Sequence, residues 1–97
     1  MALEIRWSSR SARTLEEICE YISNDSVIYA SALASRIIQI VNALPEFPRS
    51  GRIVPEYMDE TLREKIHRNY RIVYRIHKDA IEIVAICHGA RLLNDVL

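Results

Sequence analysis

The amino-acid sequence predicts an α+β domain of two layers, in which an N-terminal strand and an α-helical hairpin pack on a small, mainly antiparallel sheet in the order β-α-α-β-β-β. Three observations carry that expectation. Residues 3–7, Leu-Glu-Ile-Arg-Trp, alternate strictly between apolar and charged side chains. Residues 10–44 hold two runs of apolar side chains at three- and four-residue spacing, separated by one short polar stretch. Residues 62–87 return to extended, two-residue patterning.

The opening strand places Leu3, Ile5 and Trp7 on one face and Glu4 and Arg6 on the other. Ser8 or Ser9 then offers a hydroxyl to cap a helix. In that helix, residues 10–23, Ala12, Leu15, Ile18, Cys19 and Ile22 form the apolar stripe, while Glu16, Glu17 and Glu20 face water. Ser23-Asn24-Asp25-Ser26 ends it and starts the next, residues 27–44, so the two make an αα-hairpin. Ala30, Leu33, Ile37, Ile40, Val41 and Leu44 form the second stripe; Ala32, Ala34 and Ile38 widen it, which points to burial on two sides. Pro45 and Pro48 prevent its continuation.

Residues 45–61 hold all three prolines and Gly51 and read as one long irregular segment, the kind that is usually functional or mobile. Strands follow at residues 62–66, 70–77 and 80–87. The middle one alternates Tyr70, Ile72, Tyr74 and Ile76 against Arg71, Val73, Arg75 and His77. The last, AIEIVAIC, is almost wholly apolar and therefore central. The tail, residues 92–97, is apolar at Leu92, Leu93, Val96 and Leu97, as for a segment that packs on the hairpin or on a partner.

A chain of 97 residues amounts to one domain, 1–97. Its N-terminus is charged where a signal peptide needs an apolar run, and no stretch is apolar enough for a membrane span, so a cytoplasmic location is expected. Cys19 and Cys87 lack metal or redox spacing and are expected as buried, reduced thiols. Two glycines cannot build a phosphate-cradling loop, and no His/Cys cluster has metal-ligand spacing; neither cofactor nor metal is expected.

Thirteen cations balance thirteen acids, which argues against nucleic-acid binding by bulk charge alone. The balance conceals an asymmetry: Arg63, Lys65, Arg68, Arg71, Arg75 and Lys78 are opposed in their own segment by Glu64 only. Arg71 and Arg75 share a strand face about 13 Å apart. Unpaired guanidinium groups are costly to bury. That face is therefore expected to look away from the helices, as an anion site or, alternatively, as one half of cross-strand pairs with Glu82 or Glu64. His88, at the exit of the central strand, is the histidine best placed for acid–base work; hydrogen bonding to backbone is the alternative.

Several stretches together resemble the RelE/ParE superfamily of type II toxins, in its ParE-like or plasmid-stabilisation branch. They are Trp7-Ser8, Leu44-Pro45-Glu46-Phe47-Pro48, Gly51-Arg52, Leu62-Arg63-Glu64, Tyr70-Arg71-Ile72-Val73-Tyr74 and Ile86-Cys87-His88-Gly89-Ala90-Arg91. The resemblance runs over nearly all of residues 3–93. It implies the same fold and a cognate antitoxin as partner in a hetero-oligomer, one that wraps the toxin with a helix and an extended segment. It also implies one of two activities. ParE-like members inhibit growth by poisoning DNA gyrase, as protein ligands rather than enzymes. RelE-like members cut messenger RNA on the ribosome, holding the scissile phosphate with Lys and Arg and moving protons with a terminal Tyr or a His. On the second reading Arg71 and Arg91 match phosphate-binding arginines, Arg63 and Lys65 fall near the paired lysines with a one-residue gap, and His88 would replace a missing C-terminal tyrosine. The intact His-Gly-Ala-Arg ending favours the gyrase branch, with Arg63, Arg71, Arg75, His88 and Arg91 as target-binding residues. An mRNA endonuclease and an inactive relative are the alternatives.

Overall fold

The computed structural model describes residues 3–89. In chain order the elements are β1 (Glu4–Trp7), α1 (Ser9–Ser23), α2 (Val27–Ala43), β2 (Arg52–Ile53), β3 (Leu62–His67), β4 (Tyr70–Ile76) and β5 (Ala80–His88). They form one sheet in the order β1-β5-β4-β3-β2. Strand β1 runs parallel to β5 and the other pairs are antiparallel. A parallel neighbour requires a crossover, which the helical hairpin provides. The two-layer α+β expectation therefore holds, with one strand added. Residues 52 and 53 pair with Glu64 and Arg63, inside the segment read as irregular. Two residues are too few to show a period in sequence.

Both helices begin where a serine is available. The Ser8 hydroxyl accepts from the Ser11 N–H at 3.1 Å, and the Ser26 hydroxyl accepts from the Tyr29 N–H at 3.0 Å. Ser11 is the one fully buried residue of α1. Its hydroxyl donates to the Ile83 carbonyl at 3.0 Å, while the Ser8 hydroxyl donates to the Val84 carbonyl at 3.1 Å. A small polar side chain there lets the first turn of α1 rest on β5.

The principal core lies between helices and sheet. Leu33, Ile37, Val41 and Leu44 from α2 and its end meet Ile72, Tyr74, Ile81 and Ile83 from the strands. Tyr70 and Ile76 pack against the same cluster, so the predicted helix-facing side of β4 is correct. Burying side chains of this size stabilises by about 1.5–3 kcal/mol each.

Helix α2 departs from expectation. Ile38 is 44% exposed and Ala32 also faces solvent, so the helix is covered along one stripe rather than two. The hairpin has only the sheet beneath it. Cys19 is half-buried rather than buried, and Cys87 is buried; neither forms a disulfide.

A second, smaller cluster forms on the opposite sheet face from Val54, Leu62, Val73, Ala85 and Cys87. Its existence explains the nearly continuous apolar run of β5. A register irregularity beside Val73/Tyr74 leaves Val84 without a direct partner, since Val73 opposes Ala85 and Tyr74 opposes Ile83. This bulge switches the parity of the strand. Ile83 and Ile86 consequently both face the helices, and Ala85 and Cys87 face the other way.

Candidate functional site

Directly opposed residues in a sheet point to the same side. The cross-strand register therefore separates the cationic segment into two groups. Arg63 opposes Tyr74 and Lys65 opposes Ile72, both helix-facing residues. Arg71 opposes Cys87 and Arg75 opposes Glu82, on the far side. The six cations do not share one surface.

On the far side, Arg71 is buried, 6% exposed, which corrects the expectation that it faces solvent. Its Nε donates to Glu64 Oε1 at 2.6 Å. Its two terminal nitrogens grip both oxygens of Glu56 at 2.7 and 2.8 Å. The Glu64 side chain is fully buried, and its other oxygen accepts from Arg52 Nε at 2.6 Å. The physical reason for the correction is the cost of an unpaired buried charge, removed here by two carboxylates in bidentate and shared geometry. The Glu56 hydrogen bonds, followed by those of Glu64, hold the Arg71 proton more firmly than usual, against the opposing effect of burial. Of the two partners considered for this face, Glu64 pairs with Arg71.

Arg75 is partly exposed and donates to Asp59 Oδ2 and Thr61 Oγ1, each at 3.1 Å. The Thr61 hydroxyl and N–H, and then Arg75, hold the Asp59 carboxyl below its ordinary pKa. Glu82, instead of pairing with Arg75, lies 2.8 Å from His77 Nε2.

On the helix side the cations are again engaged with residues 45–61. Arg63 donates to the carbonyls of Glu60 and Gly51 at 2.9 Å. Lys65 Nζ reaches Ser50 Oγ at 3.4 Å. The buried Tyr74 hydroxyl donates to the Pro48 carbonyl at 2.6 Å and accepts from the Gly51 N–H at 3.0 Å. Burial raises the pKa of that hydroxyl, so it stays a donor. Gly51 must be glycine because a Cβ would stand 2.6 Å from the Glu64 carbonyl oxygen and from the Tyr74 hydroxyl. The proline-rich segment, irregular outside β2 as expected, is thus strapped onto the sheet by side chains of β3 and β4.

His88 is exposed at the end of β5, its ring edge-on to Tyr70 with centroids 6.0 Å apart. It opposes Tyr70, on the sheet face away from Arg71. The residues considered for phosphodiester cleavage are therefore not brought together: Lys65 and His88 lie on one face and Arg71 on the other. Arg91 and the apolar tail at 92–97 lie outside the described residues. Among the described residues no group of three or more His, Cys, Asp or Glu is placed to hold a metal.

Sequence reasoning missed the acidic half of this arrangement. Glu56 lies in the segment without periodicity, 15 residues before Arg71. Glu64 was visible as a possible partner, since a diagonal neighbour on the adjacent strand is within reach of an arginine.

Comparison with known proteins agrees with this architecture. Residues 5–93 match the family model described as the ParE toxin of the type II toxin-antitoxin system parDE. The candidate toxin Y4kP of Sinorhizobium fredii is 39% identical over 95 residues, covering 96% of this chain and 95% of its own. Toxin RelE2 of Caulobacter vibrioides is 32% identical over 90 residues, covering 92% of this chain and 98% of its own. The fold is shared with a structure of the chromosomal ParDE system of P. aeruginosa, with a TM-score of 0.73 and 19% identity, over 90% of this chain and 96% of that one. Fold, family model and relatives agree, and the chain belongs to the ParE toxin family of type II toxin-antitoxin systems.

Proposed function

We propose that this toxin arrests bacterial growth in the cytoplasm by poisoning DNA gyrase as a protein ligand, and that a cognate antitoxin neutralises it by binding. One observation carries the choice of target over messenger-RNA cleavage. A nuclease of the related branch needs exposed Lys and Arg converging on the scissile phosphate. Here Arg71 is spent on Glu56 and Glu64, and Lys65 points to the other side of the sheet. A buried arginine with two carboxylates on it has no net charge left to offer a phosphate. Arg63 and Arg75, though partly exposed, are also tied to residues 45–61, and we assign this segment, with the exposed His88, to the contact with the target.

Induction of the toxin alone in bacteria tests the proposal. Filamentation with DNA-damage signalling, and cleaved DNA trapped on gyrase in a purified assay, are the expected results. Rapid translation arrest with cut messages would overturn it in favour of the endonuclease. Unimpaired growth in cells lacking the antitoxin would identify an inactive relative. Co-expression of the neighbouring antitoxin frame should restore growth and yield a co-purifying complex.

A further inference from the structure

Among the described residues, three cations that form no ion pair, Arg36, Lys65 and Arg68, lie together between α2 and β3. Two cavities meet there. One is lined by residues including Tyr29, Arg36, His67 and Arg68. The other is lined by residues including Arg36, Gln39, Phe47, Ser50, Lys65 and His67. Arg36 and His67 belong to both, so the two form one groove. No acidic side chain among the described residues lines it.

Arg36 is hydrogen-bonded to the Gln39 amide oxygen and Lys65 to the Ser50 hydroxyl. Among the described residues, neither these two nor Arg68 forms an ion pair. His67 lies among them, and its pKa is lowered first by burial and then by Arg68 and Arg36. Strand β2 reaches only as far as Glu64, leaving the outer edge of β3 uncovered from Lys65 to His67.

An exposed aromatic ring stands at each end of the groove. Tyr29 is 45% exposed and Phe47 is 60% exposed. Between Tyr29 and the end of α2 the helix spans about 21 Å. Cations along a groove with accessible aromatic faces are the two elements of single-stranded nucleic-acid recognition, where phosphates follow the charge and bases stack on the rings. Base stacking on both rings is what separates this occupant from an acidic polypeptide held by charge alone.

We propose that this groove binds single-stranded nucleic acid, with Arg36, Lys65 and Arg68 on the phosphates and Tyr29 and Phe47 stacked on bases. The chain's zero net charge is no obstacle, because the local surplus is built from cations that form no ion pair among the described residues. The proposal is independent of the gyrase reading, since it is read on the purified protein without any enzyme present.

The experiment is fluorescence anisotropy with fluorescein-labelled oligo-dT and oligo-rU about twelve nucleotides long, at salt from about 50 mM upward. Saturable binding is expected, with log K falling against log salt at a slope of about −2, as for three phosphate contacts on a single strand. Arg36→Glu with Arg68→Glu should weaken binding at least about tenfold and flatten that slope. Tyr29→Ala and Phe47→Ala should each weaken it about fivefold or more and leave the slope unchanged. Far-UV circular dichroism checks the fold of each variant, and Lys65→Gln serves if the double reversal does not fold. No anisotropy change at about 100 µM protein would overturn the proposal. So would variants that bind like the parent, or displacement by poly-glutamate with the aromatic substitutions silent, which would make the groove a site for an acidic polypeptide.

Discussion

The two cationic regions of this toxin use the same side chains for opposite purposes. Around residues 45–61, Arg52, Arg71 and Arg75 each meet a carboxylate within about hydrogen-bond distance, and the charge is neutralised within the fold. Along α2 and β3, Arg36, Lys65 and Arg68 meet none among the described residues, and the charge remains on the surface. The difference teaches that a count of arginines has no functional meaning until their partners are known. A paired buried arginine holds the molecule together, and removing one member exposes the full desolvation cost of the other. An unpaired exposed one contributes little to stability and is available to a ligand.

Stability measurements can break this comparison, beginning with the largest effect. Arg71→Ala strands Glu64 and Glu56 together on the far side of the sheet with only Arg52 to compensate. Chemical denaturation should show a loss of about 3–5 kcal/mol. A loss below about 1 kcal/mol would mean that the strap is not built on this pair. Gly51→Ala should cost about 1–3 kcal/mol, because the added methyl drives against the β3 backbone and the Tyr74 ring. Tyr74→Phe removes the donor to Pro48 and the acceptor for the Gly51 N–H, and about 1–3 kcal/mol is expected from the unsatisfied buried groups. Hydrogen exchange at Gly51 would report local release of the segment before global unfolding. By contrast, Arg36→Ala and Arg68→Ala should each change stability by no more than about 0.5 kcal/mol.

The smallest expected effect is a pH dependence from His67. Arg36 faces it from α2, Arg68 from the turn after β3, and Lys65 lies two residues along the same strand. Its folded pKa lies below the ordinary 6.5, so near and just below that pH the unfolded chain binds the proton more readily. Its contribution is intact above the unfolded value and is lost as pH falls toward the folded one. The effect is modest, since the ring is only partly buried and solvent screens the neighbouring charges. Thermal unfolding followed from pH 7 down to about pH 5 should show a slope that flattens in His67→Gln.

Much of the fold was readable because helix and strand periods are local properties. Ser8 and Ser26 mark both helix starts, and the alternation of Tyr70, Ile72, Tyr74 and Ile76 shows which side of β4 the helices cover. The parity switch at Val84 was not readable, because a bulge within the apolar run Ile83–Cys87 leaves no break in the pattern. Strand β2 was too short to announce itself. Of the candidate site, the residue types were visible and their surroundings were not. Arg71 and Arg75 stood out as a shared face, yet whether that face met water or carboxylates depended on where Glu56 and Asp59 would come to rest.

The sequence by itself determined the element order apart from β2, the caps, the helix-facing side of β4 and the family, because each is encoded in near-neighbour spacing or in motifs along the chain. Only the tertiary structure decided which cations are neutralised and which are free to act on a ligand. Ion pairing is a matter of a few ångströms between residues far apart in the chain, and the folded sheet, with residues 45–61 laid over it, sets those distances.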